Sequence, residues 1–330
     1  MVEGKFIALN YARNLHRNPS QLALHAEYYQ LDQKYNFSSF STELPICVVA
    51  PGRNLVNRQM YEESLSSFEH QNYSNYRLYL IDDASTDGTY DVLKREISRL
   101  PRLRTRTTLI KNDRRIGALG NKYLAITSHC QRGSIVFDVD ADDLLIGRQV
   151  MKVMNALYQG SGDWLIYSNY LGEKAQRKTV VGLSREIEAE VLASNSYRAG
   201  EEWVTSALRT YLRDLYVKVP RSYFLETETK FYASSSDRFQ MYALVELAGP
   251  KHIKNVHDLF YRYTYTLYSE CDEIEAMYYQ LVCKGQTPLL PLDSLEDETK
   301  MTGGYVVPSK VSEKLSGYRE MKEKCKATEG

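Results

Sequence analysis

The sequence predicts an α/β protein with a mostly parallel central sheet flanked by helices. Short segments that are apolar on both faces recur along the chain, at residues 46–49, 78–81, 135–137 and 164–167. Such segments are typical of strands that a parallel sheet buries on both sides. Helical segments separate them, and this alternation indicates right-handed βαβ units. Polar clusters follow the first three strands, at the edge where ligands bind in open α/β sheets.

The helices between the strands are predicted from apolar residues three and four positions apart. Their apolar faces comprise Met60, Leu65 and Phe68; Leu93, Ile97 and Leu100; Leu119, Tyr123, Ile126 and Cys130; and Val150, Val153, Met154 and Leu157. Turn residues at positions 85–88 precede the second of these helices.

We expect one α/β domain over residues 44–265, with an extension on each side. Residues 1–43 are polar and predicted to be helical, because their leucines and Tyr28 recur at roughly helical spacing. Residues 266–330 lose this periodicity and end in a segment rich in Lys and Glu. We therefore expect an irregular C-terminal extension whose tail is partly disordered.

Length, charge and hydropathy exclude several classes of protein. A chain of 330 residues can bury one large core or two small ones. Its 42 basic residues balance 42 acidic residues, so no general attraction to nucleic acid or to a membrane surface is expected. No segment has the pattern of a signal peptide or approaches the ~20 consecutive apolar residues of a membrane span. These features predict a soluble, cytoplasmic protein.

The five cysteines are an odd number, widely scattered, and form no Cys-x-x-Cys pair. Cys47 lies inside an apolar strand, and Cys130 lies on the apolar face of a predicted helix. This usage is typical of reduced, structural thiols in a cytosol-like compartment.

Residues 134–143 contain the most informative pattern of the chain, an apolar strand that leads directly into four carboxylates. These are Asp138, Asp140, Asp142 and Asp143. Carboxylates this close raise one another's pKa, and a hard divalent cation, Mg²⁺ or Mn²⁺, would relieve the repulsion. A solvated acidic turn is the simpler alternative. A calcium loop of the EF-hand type is excluded, because its sixth and twelfth positions require Gly and Glu, and the chain has Asp143 and Gln149 there.

Two common nucleotide-binding motifs are absent after the first strand. Residues 50–54 carry neither the glycine-rich fingerprint of dinucleotide-binding enzymes nor the glycines and lysine of a P-loop. A dehydrogenase is therefore not expected. A nucleotide at this edge of the sheet would have its base and ribose held by side chains and its phosphates held by a metal ion.

Four segments, taken in order, resemble the motifs of family 2 glycosyltransferases of the GT-A fold. They are residues 45–54, which include Pro51 and Asn54; residues 71–73; residues 81–89, which include Asp82 and Asp83; and residues 140–143, with an Asp-x-Asp pattern. The resemblance covers residues 44–265. It implies a nucleotide-sugar half over residues 44–145 and an acceptor half over residues 146–265.

The resemblance implies roles for individual donor-binding residues. The loop of Pro51 and Asn54, together with Asp82 and Asp83, matches the positions that cradle the donor base. A turn that caps the next helix is the alternative role for the two aspartates. Asp140 matches the position that serves both ribose and metal, and Asp142 matches the metal ligand. Gly117 and Asn121 match the family's glycine loop and asparagine, although Gly120 replaces an arginine often found before this Asn.

The second half of the chain resembles a bacterial branch of the same family. The matching segments lie at residues 203–211, 233–237, 246–249 and 259–263. Asp237 aligns with the acidic catalytic base, which inverting transfer needs in order to take the proton of the acceptor hydroxyl. A helix N-cap after the serines at 234–236 is its alternative role. Many relatives carry a histidine after the last strand, but residues 263–266 contain none, so the third metal contact is unassigned.

These residues together predict an inverting, metal-dependent glycosyltransferase. It would move a sugar from a nucleotide diphosphate sugar, most simply a UDP-sugar, to an acceptor hydroxyl. One alternative is a sugar-phosphate nucleotidylyltransferase, which would need a glycine-rich loop with a lysine after the first strand. Another is a non-catalytic module that binds nucleotide sugars. The acceptor is open, since a glycan, a protein, a lipid, a small metabolite and a nucleic acid all suit the pattern.

Overall fold

A nine-stranded sheet forms the centre of the computed structural model, which describes residues 30–58, 61–173, 179–182, 184–200, 203–264 and 269–329. The strands are β1 (Ile46–Gly52), β2 (Tyr76–Asp82), β3 (Thr107–Lys111), β4 (Ile135–Asp138), β5 (Leu144–Leu145), β6 (Leu165–Glu173), β7 (Thr179–Gly182), β8 (Arg209–Leu212) and β9 (Ile253–Thr264). They lie in the order β3, β2, β1, β4, β8, β6, β9 and β5, and β7 pairs with β6.

The first four strands pair in parallel, as predicted for β1, β2 and β4, whereas β3 was not predicted as a strand and the fourth predicted strand, at residues 164–167, is the start of β6. β1 lies between β2 and β4, and β3 lies on the outer side of β2. Beyond β4 the sheet is mixed, because β8 is antiparallel to both β4 and β6, whereas β6 and β9 are parallel. This order places the carboxyl ends of β1, β2 and β4 side by side at one edge of the sheet.

Helices cover both faces of the sheet. They are α1 (Tyr61–Glu69), α2 (Thr89–Arg99), α3 (Leu103–Arg106), α4 (Ala118–His129), α5 (Val150–Ser161), α6 (Ala189–Ala193), α7 (Arg213–Tyr216), α8 (Ser236–Ala248), α9 (Glu270–Lys284) and α10 (Ser309–Glu329). Within the described ranges, no helix combines the length and the apolarity needed to cross a membrane.

Alternate residues of β1 face opposite sides of the sheet, because side chains alternate along a strand. Ile46, Val48 and Ala50 belong to a hydrophobic cluster that also contains residues of α1, α2 and α5. Cys47 and Val49 belong to a second cluster, with residues of α4 and α8. Both faces of this strand are therefore buried, which explains why its sequence is apolar without alternation.

The predicted N-terminal helix is described only at its end. Residues 30–35 are helical, and the predicted helical positions before them lie outside the described residues. Lys34 Nζ lies 2.6 Å from Asp258 Oδ2 in β9, and the hydroxyl of Tyr35 donates a hydrogen bond to the same carboxylate. These contacts attach the end of the N-terminal segment to the α/β domain.

The expectation of an irregular C-terminal extension is wrong for residues 269–329, which contain the two helices α9 and α10. A disulfide between Cys271 and Cys325 joins them. Lys322 of α10 is also buried, with its Nζ 3.8 Å from the ring centroid of Tyr279 in α9. In most helix pairs a stripe of apolar residues holds the helices together. Here a disulfide and a cation–π contact provide part of that stabilisation, so the sequence shows little hydrophobic periodicity from which the helices could be predicted.

The expectation of reduced thiols is wrong for four of the five cysteines. Besides the Cys271–Cys325 pair, Cys47 of β1 is bonded to Cys130 at the end of α4, and only Cys283 is free. Cys47 and Cys130 are 83 residues apart in sequence, but α4 packs against β1 and places both in the same hydrophobic cluster. Disulfides are typical of oxidising compartments, so the cysteines no longer support a cytoplasmic location.

Candidate functional site

A cleft of about 310 Å³ lies at the edge where β1, β2 and β4 end. Its lining residues are Pro51, Gly52, Arg53 and Asp83 at the ends of β1 and β2; Arg115, Gly117, Ala118 and Asn121 around the start of α4; Asp140 and Asp142 after β4; Ala233 to Ser236 at the start of α8; Tyr263 and Thr264 in β9; and Asp272 and Glu275 in α9. Among the residues predicted from the sequence, Pro51, Asp83, Gly117, Asn121, Asp140 and Asp142 line this cleft, whereas Asn54, Asp82 and Asp237 do not.

The end of β1 lies directly against the loop that follows β4. A Cβ atom added to Gly52 would lie 2.7 Å from the Cβ of Ala141 and 3.0 Å from two carbons of Leu55. Any larger residue at position 52 would push the two loops apart. The glycine therefore allows Pro51 and the Asp140–Asp142 segment to form adjacent walls of the cleft.

Asp83 holds the loop before α4 in place with both of its carboxylate oxygens. Its Oδ1 accepts hydrogen bonds from the backbone N–H of Ile116, at 2.8 Å, and from Asn112 Nδ2, at 2.9 Å. Its Oδ2 accepts one from the backbone N–H of Gly117, at 2.8 Å. Burial works to raise the pKa of Asp83, but these hydrogen bonds outweigh burial, and the pKa lies below its ordinary value.

Asp82 and Asn54 support this edge from outside the cleft. Asp82 is buried, and its Oδ1 accepts a hydrogen bond from the backbone N–H of Ser85. The backbone N–H of Asn54 donates a hydrogen bond to Ser85 Oγ at 2.8 Å. Its side-chain Oδ1 accepts a hydrogen bond from the N–H of Thr86 at 3.0 Å. Both residues thus fix the turn between β2 and α2, but Asp82 does not cap α2, because its partner Ser85 precedes the helix and the N-cap is Gly88.

The start of α4 contributes Gly117 and Asn121 to the cleft. Gly117 has φ +88°, in the region that favours glycine, and precedes the first turn of the helix. Asn121 Oδ1 accepts a hydrogen bond of 2.7 Å from Asn112 Nδ2, which ties the helix to the same network as Asp83. Gly120 has no room for the arginine of other relatives, because an added Cβ would lie 2.7 Å from the ring of Phe231.

Asp138 is fully buried and surrounded by hydrogen-bond donors and cations of the protein. Lys122 Nζ lies 2.6 Å from its Oδ1, and Arg209 Nη2 lies 3.7 Å from the same oxygen. Its Oδ2 accepts hydrogen bonds from Gln240 Nε2, at 2.9 Å, and from the hydroxyl of Tyr211, at 3.3 Å. The crowding of four carboxylates therefore does not by itself require a metal, because one of the four is neutralised internally.

Asp143 is buried and does not line the cleft. Its Oδ2 accepts a hydrogen bond of 2.7 Å from the hydroxyl of Tyr261, and its Oδ1 accepts one of 2.7 Å from the N–H of Thr264. Burial, followed by the negative charges of Asp142 and Asp140, raises the pKa of Asp143 well above its ordinary value. This residue anchors the loop after β4 to β9.

Asp140 and Asp142 are the two carboxylates of the cluster that line the cleft. The described residues include no group of three or more His, Cys, Asp or Glu side chains that could hold a metal ion. Mg²⁺ is commonly bound by one or two carboxylates together with substrate phosphates. The two aspartates therefore fit a divalent cation that is shared with a diphosphate, and not one held by the protein alone.

Asp237 lies in the first turn of α8, beside the serines that line the cleft. Ser235 is the N-cap of this helix, so Asp237 does not cap it, and a carboxylate in the first turn is favoured by the helix dipole. Arg209 is buried, and burial works to lower its pKa. The negative charges of Asp138, Asp237 and Asp140 outweigh burial and raise the pKa of Arg209. This guanidinium therefore lies in the field of all three carboxylates.

Lys122, Arg209 and the two acidic residues of α9 were not predicted as site residues from the sequence. Lys122 could have been found, because it follows Leu119 by three residues and precedes Ile126 by four, on the apolar face of α4. A lysine at such a position requires a buried partner. Asp272 and Glu275 could not have been found, because the C-terminal segment gave no signal that it returns to the sheet edge.

The sequence profile of glycosyl transferase family 2 matches residues 47–214, just over half of the chain. This range begins in β1 and contains the strand ends that carry Asp83, Asp140 and Asp142. The chain belongs to glycosyl transferase family 2. An uncharacterised glycosyltransferase of Haemophilus influenzae is 29% identical to this family 2 chain over 155 residues, which are 44% of the chain and 39% of that relative. The chain thus spans about two-fifths of the relative's length.

Solved structures show the same fold. Residues 1–349 of S. aureus TarS in complex with UDP superpose with a TM-score of 0.51 at 18% sequence identity, over 72% of this chain and 65% of that one. A longer TarS structure gives a TM-score of 0.50 over 72% of this chain and 39% of that one. The predicted GT-A fold is therefore confirmed for this family 2 member.

Proposed function

We propose that this protein is a metal-dependent, inverting glycosyltransferase that moves a sugar from a UDP-sugar to an acceptor hydroxyl. One observation supports this most strongly: the ends of β1, β2 and β4 and the start of α4 meet in one cleft, which Asp140 and Asp142 line. Family membership supports the same reaction class. TarS, whose fold is similar, has been solved with UDP and with UDP-GlcNAc, and this suggests the donor class.

The donor base would lie between Pro51 and the Asp83 loop. Asp83 is fixed by three hydrogen bonds, so the wall that it forms is rigid before the nucleotide arrives. Arg53 and Arg115 also line the cleft and carry the positive charges that a diphosphate attracts. The nucleotide side of the cleft thus offers rigid and cationic surfaces, which is the chemistry that a nucleoside diphosphate requires.

Asp140 and Asp142 would hold Mg²⁺ or Mn²⁺ together with diphosphate oxygens. When bound, such a cation stabilises the negative charge that develops on the departing nucleoside diphosphate. Asp140, which also contacts Lys122, would in addition receive the ribose, as its position in the family's motif implies.

Asp237 would act as the general base. In an inverting displacement the acceptor oxygen attacks the anomeric carbon from the face opposite the leaving diphosphate, and a carboxylate on that face takes the hydroxyl proton. Asp237 lies in the first turn of α8, next to Ser236, which lines the cleft, and its charge acts on Arg209 together with the charges of Asp138 and Asp140.

The hydrolysis of radiolabelled nucleotide sugars in the presence of Mn²⁺ tests this proposal. Transferases release sugar slowly to water, so we expect free sugar and UDP as products. Release of pyrophosphate in the presence of a sugar 1-phosphate and UTP would instead support a nucleotidylyltransferase. Tight donor binding without any hydrolysis would support a non-catalytic module.

A further inference from the structure

Lys122 is a buried lysine that contacts two carboxylates of the site at once. Its Nζ lies 2.6 Å from Asp138 Oδ1 and 3.0 Å from Asp140 Oδ1, and only 1% of its side chain is exposed. It is fixed within α4, one residue after Asn121. An ammonium in this position is part of the protein and is present whether or not a ligand is bound.

The contact with Asp140 is not needed to neutralise Asp138. Asp138 also has Arg209 at 3.7 Å, Gln240 at 2.9 Å and Tyr211 at 3.3 Å. Asp140, by contrast, has about a third of its side chain exposed and lines the cleft. Lys122 thus extends a buried network of charges as far as a carboxylate that faces the ligand.

We propose that Lys122 is a positioning residue that neutralises Asp140 in the nucleotide-free protein, so that a divalent cation binds well only together with the nucleotide diphosphate. The inference rests on the proposed function, since it concerns the same cleft. A fixed positive charge beside Asp140 repels a second cation that approaches the same carboxylate. A diphosphate brings new negative oxygens and offsets this repulsion. The cation is therefore expected to enter with the donor or after it.

The direct test is the affinity of the nucleotide-free protein for Mn²⁺, measured from the electron paramagnetic resonance signal of free Mn²⁺. In the parent protein we expect weak binding that UDP strengthens. Lys122→Met removes the charge and keeps the apolar stem, so the nucleotide-free variant should bind Mn²⁺ at least about tenfold more tightly, because a like charge has been removed from the site. UDP should then strengthen Mn²⁺ binding by a smaller factor than in the parent.

Lys111→Met is the matched control. Lys111 is exposed in β3, does not line the cleft, and packs over Tyr90 with its Nζ 5.2 Å from the ring centroid. The Lys111→Met substitution removes the same charge as Lys122→Met, but at a position outside the cleft. It should therefore leave Mn²⁺ binding at the parental value. An equal gain in both variants would show an effect of net charge and would overturn the role of Lys122.

A second variant covers the case in which Lys122→Met fails to fold. Lys122→Met combined with Asp138→Asn removes both members of the buried ion pair, a change that proteins often tolerate. This double variant should still bind Mn²⁺ more tightly than the parent, but with a smaller gain than Lys122→Met, because the more distant negative charge of Asp138 is removed as well. Circular dichroism checks its fold. Parental Mn²⁺ affinity in a folded Lys122 variant would overturn the inference. If the parent binds no Mn²⁺ even with UDP, both the proposed function and the role of Lys122 are wrong. If the parent binds Mn²⁺ in a UDP-dependent way and Lys122→Met leaves this binding unchanged, only the role of Lys122 is wrong.

Discussion

Asp83 illustrates how a single residue can serve both the stability of the cleft and its proposed ligand. Its carboxylate accepts three hydrogen bonds from the loop before α4 and also lines the cleft. We predict that Asp83→Ala weakens UDP binding roughly 10- to 100-fold, since hydrogen bonds to charged groups contribute about 1.5–3 kcal/mol. Isothermal titration with UDP measures this. Asp87→Ala, in the same turn but outside the cleft, is the control, and equal losses in both variants would argue against a base-binding role.

The lowered pKa of Asp83 also predicts how folding stability depends on pH. The pKa is lower in the folded protein than in the unfolded chain, so the stabilisation is complete above the ordinary Asp value and is lost as the pH falls through the folded-state pKa. Urea unfolding of the parent and of Asp83→Asn should therefore differ at pH 7 and converge well below pH ~4. A difference that persists unchanged at low pH would contradict the ionised state assigned here.

Asp237 is the residue on which the proposed mechanism depends most directly. General-base assistance contributes ~10²–10⁴-fold in rate, so Asp237→Asn should lose turnover of the donor on that scale while it binds UDP nearly normally. Its pH–rate profile should also lose the acidic limb. Asp91→Asn is a matched control, because Asp91 likewise lies in the first turn of a helix, but its helix, α2, contributes no residue to the cleft, whereas α8 contributes Ser236. Near-parental turnover of Asp237→Asn, or a product that retains the donor's anomeric configuration by NMR, would remove Asp237 from the mechanism.

Some residues of the site could be predicted from the sequence and others could not. Asp83, Asp140 and Asp142 were predicted because they follow strands whose ends must meet, and the structure places them in one cleft. Arg209 could not be assigned in the same way. It enters the site through β8, which is antiparallel to β4, and sequence patterns gave no register between these two strands.

At the scale of elements, a buried ion pair joins the C-terminal segment to the core. Arg198 Nε lies 2.5 Å from Glu246 Oε1 of α8, and Arg198 Nη1 donates a hydrogen bond of 2.6 Å to the carbonyl of Cys283 in α9. Glu246 Oε2 also accepts a hydrogen bond from the N–H of Leu289. Burial raises the pKa of Glu246 despite the adjacent guanidinium. The pair thus ties together α8, α9 and the segment that follows α9.

We predict that Glu246→Leu lowers the free energy of unfolding by about 3–5 kcal/mol, because it leaves the guanidinium of Arg198 buried without its partner. Urea denaturation measures the change. Glu313→Leu, at an exposed position of α10, should change stability by no more than about 0.5 kcal/mol. Replacing Arg198 by Met as well should recover much of the loss. A cost below about 1 kcal/mol for Glu246→Leu would contradict the structural role of the pair.

In the parallel half, β1, β2 and β4 were predictable, but β3 and the elements of the C-terminal segment were not. β1 and β4 are buried along almost their whole length and β2 along its C-terminal half, so these segments are apolar and mark their own positions, whereas β3 is only partly buried. The helices α9 and α10 bury only part of their surface. They are joined by the Cys271–Cys325 disulfide and by the contact of the buried Lys322 with Tyr279. Their stabilising contacts are specific pairs, which leave little periodicity in the sequence.

For the whole molecule, the family and the fold were predicted from the order of the motifs. The packing of the C-terminal segment against the cleft was not predicted. Asp272 and Glu275 of α9 form one wall of the cleft. The segment that carries them follows the region matched by the family profile. Neither the parallel-sheet pattern nor the family motifs specify where such a segment packs. The cysteine pairs were missed for the same reason, since both connect positions that only the tertiary fold brings together.

The central claim is that Asp140 and Asp142 bind a divalent cation jointly with the diphosphate of UDP, and one titration tests it most directly. UDP is titrated into the parent protein with Mn²⁺, into the parent with EDTA, and into Asp142→Asn with Mn²⁺, with Asp113→Asn, at an exposed position outside the cleft, as the control. We predict Mn²⁺-dependent UDP binding by the parent and by Asp113→Asn, and its loss in EDTA and in a folded Asp142→Asn. Undiminished Mn²⁺-dependent binding of UDP by Asp142→Asn would contradict the account.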